Sequence, residues 1–187
     1  MQQELATRYP LVLVPGMLGF VRLVLYPYWF GIVPALRKGG AQVFPVQVSP
    51  LHSSEVRGEQ LLAIIEDICQ RTGADKVNLI GHSQGALSAR YAAAKRPGRV
   101  ASVTSVAGPN HGSELADHLE RTAPGHSPQG RILKAVLHGF AVLLVWLETG
   151  WRRDPLPVDV HASHQALTSA GVALFNQAYP QGLPNTW

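Results

Sequence analysis

The residues whose types and spacing are best suited to catalysis form a glycine-flanked motif, Gly81-His82-Ser83-Gln84-Gly85. An apolar run at 77–80 precedes the motif directly, and an alanine-rich segment at 86–95 follows it directly. In this strand–GxSxG–helix context the serine occupies a tight turn that exposes its hydroxyl above the sheet as a nucleophile. The flanking glycines lack a β-carbon, so neighbouring backbone can pass close to the turn. We therefore predict that Ser83 is a catalytic nucleophile. A phosphate-binding turn is disfavoured because the GxGxxG and Walker spacings are absent.

A second motif, Pro15-Gly16-Met17-Leu18-Gly19-Phe20, directly follows the first apolar run. In α/β-hydrolases the loop at this place supplies one backbone N–H of the oxyanion hole, and the residue after the nucleophile supplies the other. This assigns the two donors to Met17 and Gln84, and losing one such donor costs ~3 kcal/mol of transition-state stabilisation. On the loop alone, the alternative that Pro15 and Gly16 merely end a strand stays open.

The elements that must position these motifs alternate between strand and helix. Strands are predicted at Leu11–Val14, 43–48, 77–80 and Val100–Val106. Helices are predicted at 28–38, from the candidate caps Ser53 and Ser54 to about Thr72, at 86–95, at about 131–147 and at about 169–178. Alternation with long crossovers predicts an α/β fold in which a parallel sheet is covered by helices. Pro34 predicts a break in the first helix, and Pro45 predicts that its strand is an edge or contains a bulge.

The composition excludes several classes of protein. Of 187 residues, 46% are apolar and 15% charged, which excludes a disordered chain. The net charge of +4 comes from scattered residues rather than a basic tract, so we predict no nucleic-acid partner. The single cysteine, Cys69, excludes an internal disulfide and is interpreted as a small core residue. The longest unbroken apolar run, at 140–147, is shorter than the ~20 residues of a membrane span.

That apolar run belongs to a third notable segment, at about 125–150. A helix that is apolar on every side must lie between two apolar surfaces or meet a lipid phase. The segment is therefore interpreted either as an ordinary buried helix or as a lid that covers the site of a lipid hydrolase.

Longer stretches of the chain resemble the secreted triacylglycerol lipases of Pseudomonas and Burkholderia. The resemblance is carried by the stretches at 9–14, 16–20, 28–32, 40–43, 54–61, 76–85, 175–176 and 179–182. It implies an α/β-hydrolase fold with helices on both faces of a parallel sheet, hydrolysis of long-chain acylglycerols at lipid–water interfaces, and an extracellular location. It also implies a structural Ca²⁺ and a lipase-specific folding chaperone. Two departures are Pro15 and Gln84, which stand where the family commonly has histidine; the backbone donors are expected to remain.

The triad acid and histidine are the main functional groups that this sequence does not provide convincingly. In this fold they follow later strands than the nucleophile, and no convincing strand follows Val106. Asp154 or Asp159 with His161 or His164 has the right order, but these residues are too close together in sequence. His111 is interpreted as a loop residue, and His82 as packed beneath the nucleophile.

We therefore expect one partial α/β-hydrolase domain over 1–187, which stops after the fourth strand and the lid segment, with the triad acid, the triad histidine and the calcium ligands beyond Trp187. The predicted function is that of a serine ester hydrolase, in the first place a triacylglycerol lipase, with this portion by itself only weakly active or inactive. A short-chain carboxylesterase or an acyltransferase on the same scaffold is the alternative within enzymes. A non-catalytic lipid-binding fragment is the alternative of another class.

Overall fold

A computed structural model describes residues 5–23, 26–123, 127–149 and 156–180 of the chain. The strands of this part are β1 (Leu11–Val14), β2 (Arg22–Leu23), β3 (Tyr26–Pro27), β4 (Val43–Pro45), β5 (Val77–His82) and β6 (Val100–Val106). The helices are α1 (Ile32–Lys38), α2 (Ser54–Thr72), α3 (Gln84–Lys95), α4 (Glu114–Thr122), α5 (Pro128–Thr149), α6 (Val160–Gln165) and α7 (Ser169–Ala178).

The central sheet has four strands in the order β4-β1-β5-β6, and every pairing in it is parallel. In register, Val12 lies between Phe44 of β4 and Leu79 of β5. The short strands β2 and β3 form a separate antiparallel hairpin. The predicted parallel sheet is confirmed. Pro45 lies on the edge strand β4, where its missing N–H costs no ladder hydrogen bond on the outer side.

Helices cover both faces of the sheet, so the side chains on both sides of β1 are buried. Val12 and Val14 belong to a core shared with α2 and α3, whereas Leu11 and Leu13 belong to a core on the α1 side. Cys69 lies in the first of these cores, and burial raises the pKa of its thiol. The interpretation of this cysteine as a core residue is confirmed.

Local signals fix the ends of α2. The Ser53 hydroxyl accepts a hydrogen bond of 3.3 Å from the Val56 N–H, and Gly73 takes the left-handed conformation (φ 70°) that ends the helix. The predicted break at Pro34 is wrong, because this proline lies in the first turn of α1, where a backbone N–H has no intrahelical acceptor. The hairpin β2–β3 and the helix α4 were not predicted, and only the resemblance implied a helix around His161 and His164, where α6 lies.

The predicted lid segment contains the long helix α5. Its buried side chains include Ala141, Leu144 and Val145. Apolar side chains on its surface remain largely exposed: Ile132, Val136, Phe140, Val142, Leu143, Trp146 and Leu147. Residues 128–147 have a mean hydropathy of 1.6 with 22% buried, so this helix is long and apolar enough to cross a membrane. The sequence-based estimate of length counted only the unbroken apolar run. The ends of the predicted segment at 125–126 and 150 lie outside the described residues.

Candidate active site

The topology brings the two sequence motifs together at one edge of the sheet. The chain leaves β1 toward β4 on one side, and it continues from β5 toward β6 on the other. In open parallel sheets such a reversal creates a crevice at the carboxyl ends of the neighbouring strands, and ligands bind there. The loop after β1 and the turn after β5 both border this crevice, since β1 and β5 pair directly.

Ser83 lies alone between the end of β5 and the start of α3. Its φ of 53° and ψ of −129° lie in a region that L-residues other than glycine rarely adopt. A β-carbon at Gly81 would lie 2.5 Å from the Ala86 nitrogen, and one at Gly85 would clash with the carbonyl oxygens of Val14 and Pro15. The turn therefore requires glycine at both positions, and it has the tight geometry that the motif predicts.

The oxyanion loop, residues 15–20, passes directly beside Ser83. A β-carbon at Gly16 would lie 2.8 Å from Cβ and 3.2 Å from Oγ of Ser83. The Leu18 N–H donates to the Pro50 carbonyl at 2.8 Å, which anchors the loop to the segment after β4. Within the described residues, the structure records no acceptor for the backbone N–H of Met17 or Gln84. The Gln84 N–H also lies at the N-terminus of α3, where the helix dipole favours a negative charge.

Arg57 of α2 holds the oxyanion loop from beneath. Its guanidinium is fully buried and donates to the carbonyl oxygens of Ser49 and Pro15, each at 2.5 Å, and of Gly16 at 3.1 Å. Burial lowers the pKa of this guanidinium to about 10, so Arg57 remains charged at neutral pH. Arg57 was not among the residues predicted from the sequence. The available signal was a charged residue four positions before Leu61, on the apolar face of α2.

His82 and Gln84 on either side of the nucleophile have structural partners. The Nδ1 atom of His82 lies 2.6 Å from the Tyr28 hydroxyl, and its ring packs edge-on against Trp29. The Gln84 side chain is fully buried, and its Nε2 donates to the His52 carbonyl at 2.8 Å. His82 is thus held in a packed position, as the sequence analysis expected.

The contacts that the structure records for the other candidate acids and bases are with groups other than Ser83. Asp159 caps α6 by accepting from the Ala162 N–H at 2.9 Å, and His161 lies 3.4 Å from Lys134 Nζ. His164 contacts the Ala116 carbonyl and the Glu120 carboxylate. His111 is exposed, and Asp154 lies outside the described residues.

Within the described part of the chain the structure records no hydrogen-bond partner for the Ser83 hydroxyl. The same residues contain no cluster of three or more histidine, cysteine, aspartate or glutamate side chains that could hold a metal ion. The site as described therefore contains a strained serine and free backbone donors, without a paired base.

Comparisons with known proteins agree with this geometry. Residues 9–143 match the α/β hydrolase fold family, and the chain belongs to that family. The chain is 47% identical over its whole length to a triacylglycerol lipase of Pseudomonas fragi, and 38% identical over 94% of its length to one of Burkholderia plantarii. It covers 63% and 49% of these two relatives, respectively. The resemblance to lipases of these genera is confirmed.

The fold is also shared with a solved structure, that of the Bacillus licheniformis lipase BlEst2 in its mature form. The TM-score is 0.64 at 21% identity, and the match covers 96% of this chain and 63% of that one. At this identity the likeness shows the fold alone. The chain thus spans about half to two thirds of the length of these lipases.

Proposed function

We propose that the complete protein, the product of the gene's whole reading frame, is a triacylglycerol lipase that hydrolyses long-chain acylglycerols through an acyl-enzyme on Ser83. One observation carries the proposal. The only residue between β5 and α3 is a serine at positive φ, and the loop after β1 approaches its hydroxyl so closely that only glycine fits at position 16. The names of the Pseudomonas and Burkholderia relatives support the choice of substrate class.

In the proposed reaction Ser83 Oγ attacks the ester carbonyl, and its proton passes to a histidine contributed by residues beyond Trp187. The carbonyl oxygen becomes an oxyanion and accepts hydrogen bonds from the backbone N–H groups of Met17 and Gln84. Collapse of this intermediate breaks the ester bond, and the histidine returns the proton to the leaving alcohol. Water then attacks the acyl-serine by the same route and releases the fatty acid.

The long helix α5 is proposed to be the lid. Its exposed apolar side chains would contact the lipid phase when the helix moves away from the crevice, which would favour emulsified substrate over dissolved substrate. By resemblance we also propose an extracellular location, a structural Ca²⁺ held beyond Trp187 and a dedicated folding chaperone.

A fluorophosphonate probe tests the nucleophile. The complete protein should be labelled, Ser83→Ala should abolish labelling, and Ser113→Ala should leave it intact as a matched serine control. The chain of residues 1–187 should react far more slowly, because serine hydrolases without a full triad retain only ~10³- to 10⁴-fold catalysis over water. Absence of labelling in the folded complete protein would contradict the proposal and favour a lipid-binding module.

Acyl-chain profiling tests the substrate class. A lipase should prefer long acyl chains and accelerate when the substrate forms an emulsion. Preference for short dissolved esters would instead indicate a carboxylesterase, and transfer of the acyl group to added alcohols in preference to water would indicate an acyltransferase.

A further inference from the structure

We propose that Tyr28 is a positioning residue that holds the oxyanion loop in its productive conformation. The inference rests on the proposed function, because it concerns the donor that Met17 supplies. Tyr28 follows β3 and packs against the core on the α1 side of the sheet, whereas the helix of Arg57 packs against the other core. Its hydroxyl contacts one end of the oxyanion loop and the residue before the nucleophile at the same time.

The hydroxyl has one hydrogen and two lone pairs to distribute. The Gly16 N–H donates to it at 3.2 Å, which occupies a lone pair. Its own hydrogen is then available for His82 Nδ1, which lies 2.6 Å away. In this arrangement neutral His82 carries its proton on Nε2, and the Tyr28 hydroxyl joins β5, which ends directly before the nucleophile, to the loop that provides the Met17 donor.

The aromatic ring of Tyr28 contacts the other end of the same loop. Its centroid lies 5.5 Å from that of Phe20, with the rings nearly perpendicular at 86°. This edge-to-face arrangement is a favourable one for aromatic pairs. Tyr28 therefore contacts the loop at both ends, through the hydroxyl at Gly16 and through the ring at Phe20.

Because the peptide bond is planar, contacts to the groups around Gly16 also determine the direction in which the Met17 N–H points. In the Pro15–Gly16 peptide, Arg57 holds the carbonyl and Tyr28 holds the N–H. In the following peptide, Arg57 holds the Gly16 carbonyl, so the trans N–H of Met17 must point the opposite way. Glycine at position 16 would otherwise leave the backbone unusually free. Both peptide planes that flank Gly16 are therefore held: the preceding one by Arg57 and Tyr28, and the following one by Arg57 and by the Gly19 N–H, which donates to the Gly16 carbonyl at 3.1 Å.

The test is Tyr28→Phe in the complete protein, because phenylalanine keeps the ring contact with Phe20 and removes only the hydroxyl. We expect kcat for a dissolved ester to fall about 10-fold with KM unchanged, less than the ~10²- to 10³-fold cost of deleting a donor. The rate ratio between an oxygen ester and its thionoester should narrow, since a sulfur anion uses the oxyanion hole poorly. Tyr26→Phe is the matched control, because Tyr26 is 72% exposed.

Hydrogen exchange separates positioning from general loosening. In Tyr28→Phe the Gly16 amide should exchange about 10-fold faster, while the Leu18 amide, which donates to Pro50, keeps its rate. If the variant does not fold, 3-fluorotyrosine at position 28 weakens the hydroxyl as an acceptor without changing the shape, and it should produce the same effects in smaller measure.

Two results overturn the inference, and they are distinguishable. Ser83-dependent hydrolysis in the unmodified protein, together with unchanged kcat, thionoester ratio and Gly16 exchange in Tyr28→Phe, overturns the role of Tyr28 alone. Absence of any Ser83-dependent hydrolysis in the unmodified protein overturns the proposed function, and the role of Tyr28 with it.

Discussion

The guanidinium of Arg57 and the carbonyl oxygen of Gly16 are joined by a hydrogen bond of 3.1 Å in the interior of the protein. The relationship is unusual because, within the described part of the chain, no carboxylate pairs with this buried cation. The acceptors that the structure records for it are backbone carbonyl oxygens and the Ser88 hydroxyl. Carbonyl dipoles from two separate loops thus stabilise one charge, and the charge in turn fixes both loops.

Replacing this residue by lysine should destabilise the protein. In Arg57→Lys a single ammonium cannot span the same acceptors, so buried carbonyl groups lose their donor, and we expect a loss of about 3 kcal/mol in the free energy of unfolding. Urea denaturation measures the loss. Arg71→Lys is the control, because Arg71 pairs with Asp67 on the exposed side of the same helix and should cost less than about 1 kcal/mol. Equal effects of the two substitutions would contradict the role assigned to Arg57.

The strain at the nucleophile should be measurable as stability. In Ser83→Gly the backbone keeps its φ of 53° without a β-carbon, so we expect the free energy of unfolding to rise by about 1 kcal/mol. Ser83→Ala retains the β-carbon and should stay within about 0.5 kcal/mol of the unmodified protein. Thermal unfolding of the two variants separates the effect of backbone strain from the effect of losing the hydroxyl, because both variants lack the hydroxyl and only the alanine variant keeps the β-carbon. A glycine variant less stable than the alanine variant would show that the turn is not strained.

The exposed face of α5 should control binding to lipid surfaces. Phe140→Ser combined with Leu143→Ser removes two large apolar side chains from this face, and we expect weaker binding to phosphatidylcholine vesicles in a flotation assay. Hydrolysis of a dissolved ester by the complete protein should change little. The control combines Leu115→Ser with Leu174→Ser, which lie on other helices and are more exposed than Phe140 and Leu143. Equal losses in both double variants would refute a specific role for α5.

Acid should weaken the contact between α4 and α7. The Ser169 hydroxyl and N–H donate to Asp117 at 2.5 and 2.9 Å, and these bonds lower the pKa of the Asp117 carboxyl. A lowered folded-state pKa means that the contribution to stability is present above the ordinary pKa and is lost as the pH falls through the folded value. Relative to Asp117→Asn, the unmodified protein should therefore be more stable at pH 7, and the gap should close toward pH 3.

Unfolding curves of both proteins across this pH range check the prediction. Glu114→Gln removes a carboxylate from the same helix and serves as the control. If the difference in stability from the unmodified protein changes with pH in the same way for both variants, the hydrogen bonds from Ser169 make no specific contribution to stability.

Much of the fold could be predicted from local signals in the sequence. The uniformly apolar β1, the capped helix α2 and the tight turn at Ser83 each depend on neighbouring residues, and each was predictable from them. The helices α4 and α6 are short, at nine and six residues, and their local signals were overlooked: Ser113 precedes α4, and Asp159 caps α6. The partnerships of Arg57 and Tyr28 join residues 41 and 12 positions apart, respectively. No local pattern encodes them, so they emerged only from the structure.

The strand β6 ends the described sheet, and its outer residues from Thr104 to Val106 are exposed. An edge strand with unpaired backbone N–H and C=O groups can form a new strand pairing with another extended chain. Produced by itself, the segment 1–187 should therefore form oligomers or aggregates in a concentration-dependent manner. A peptide that pairs with the exposed edge of β6 should keep the segment monomeric.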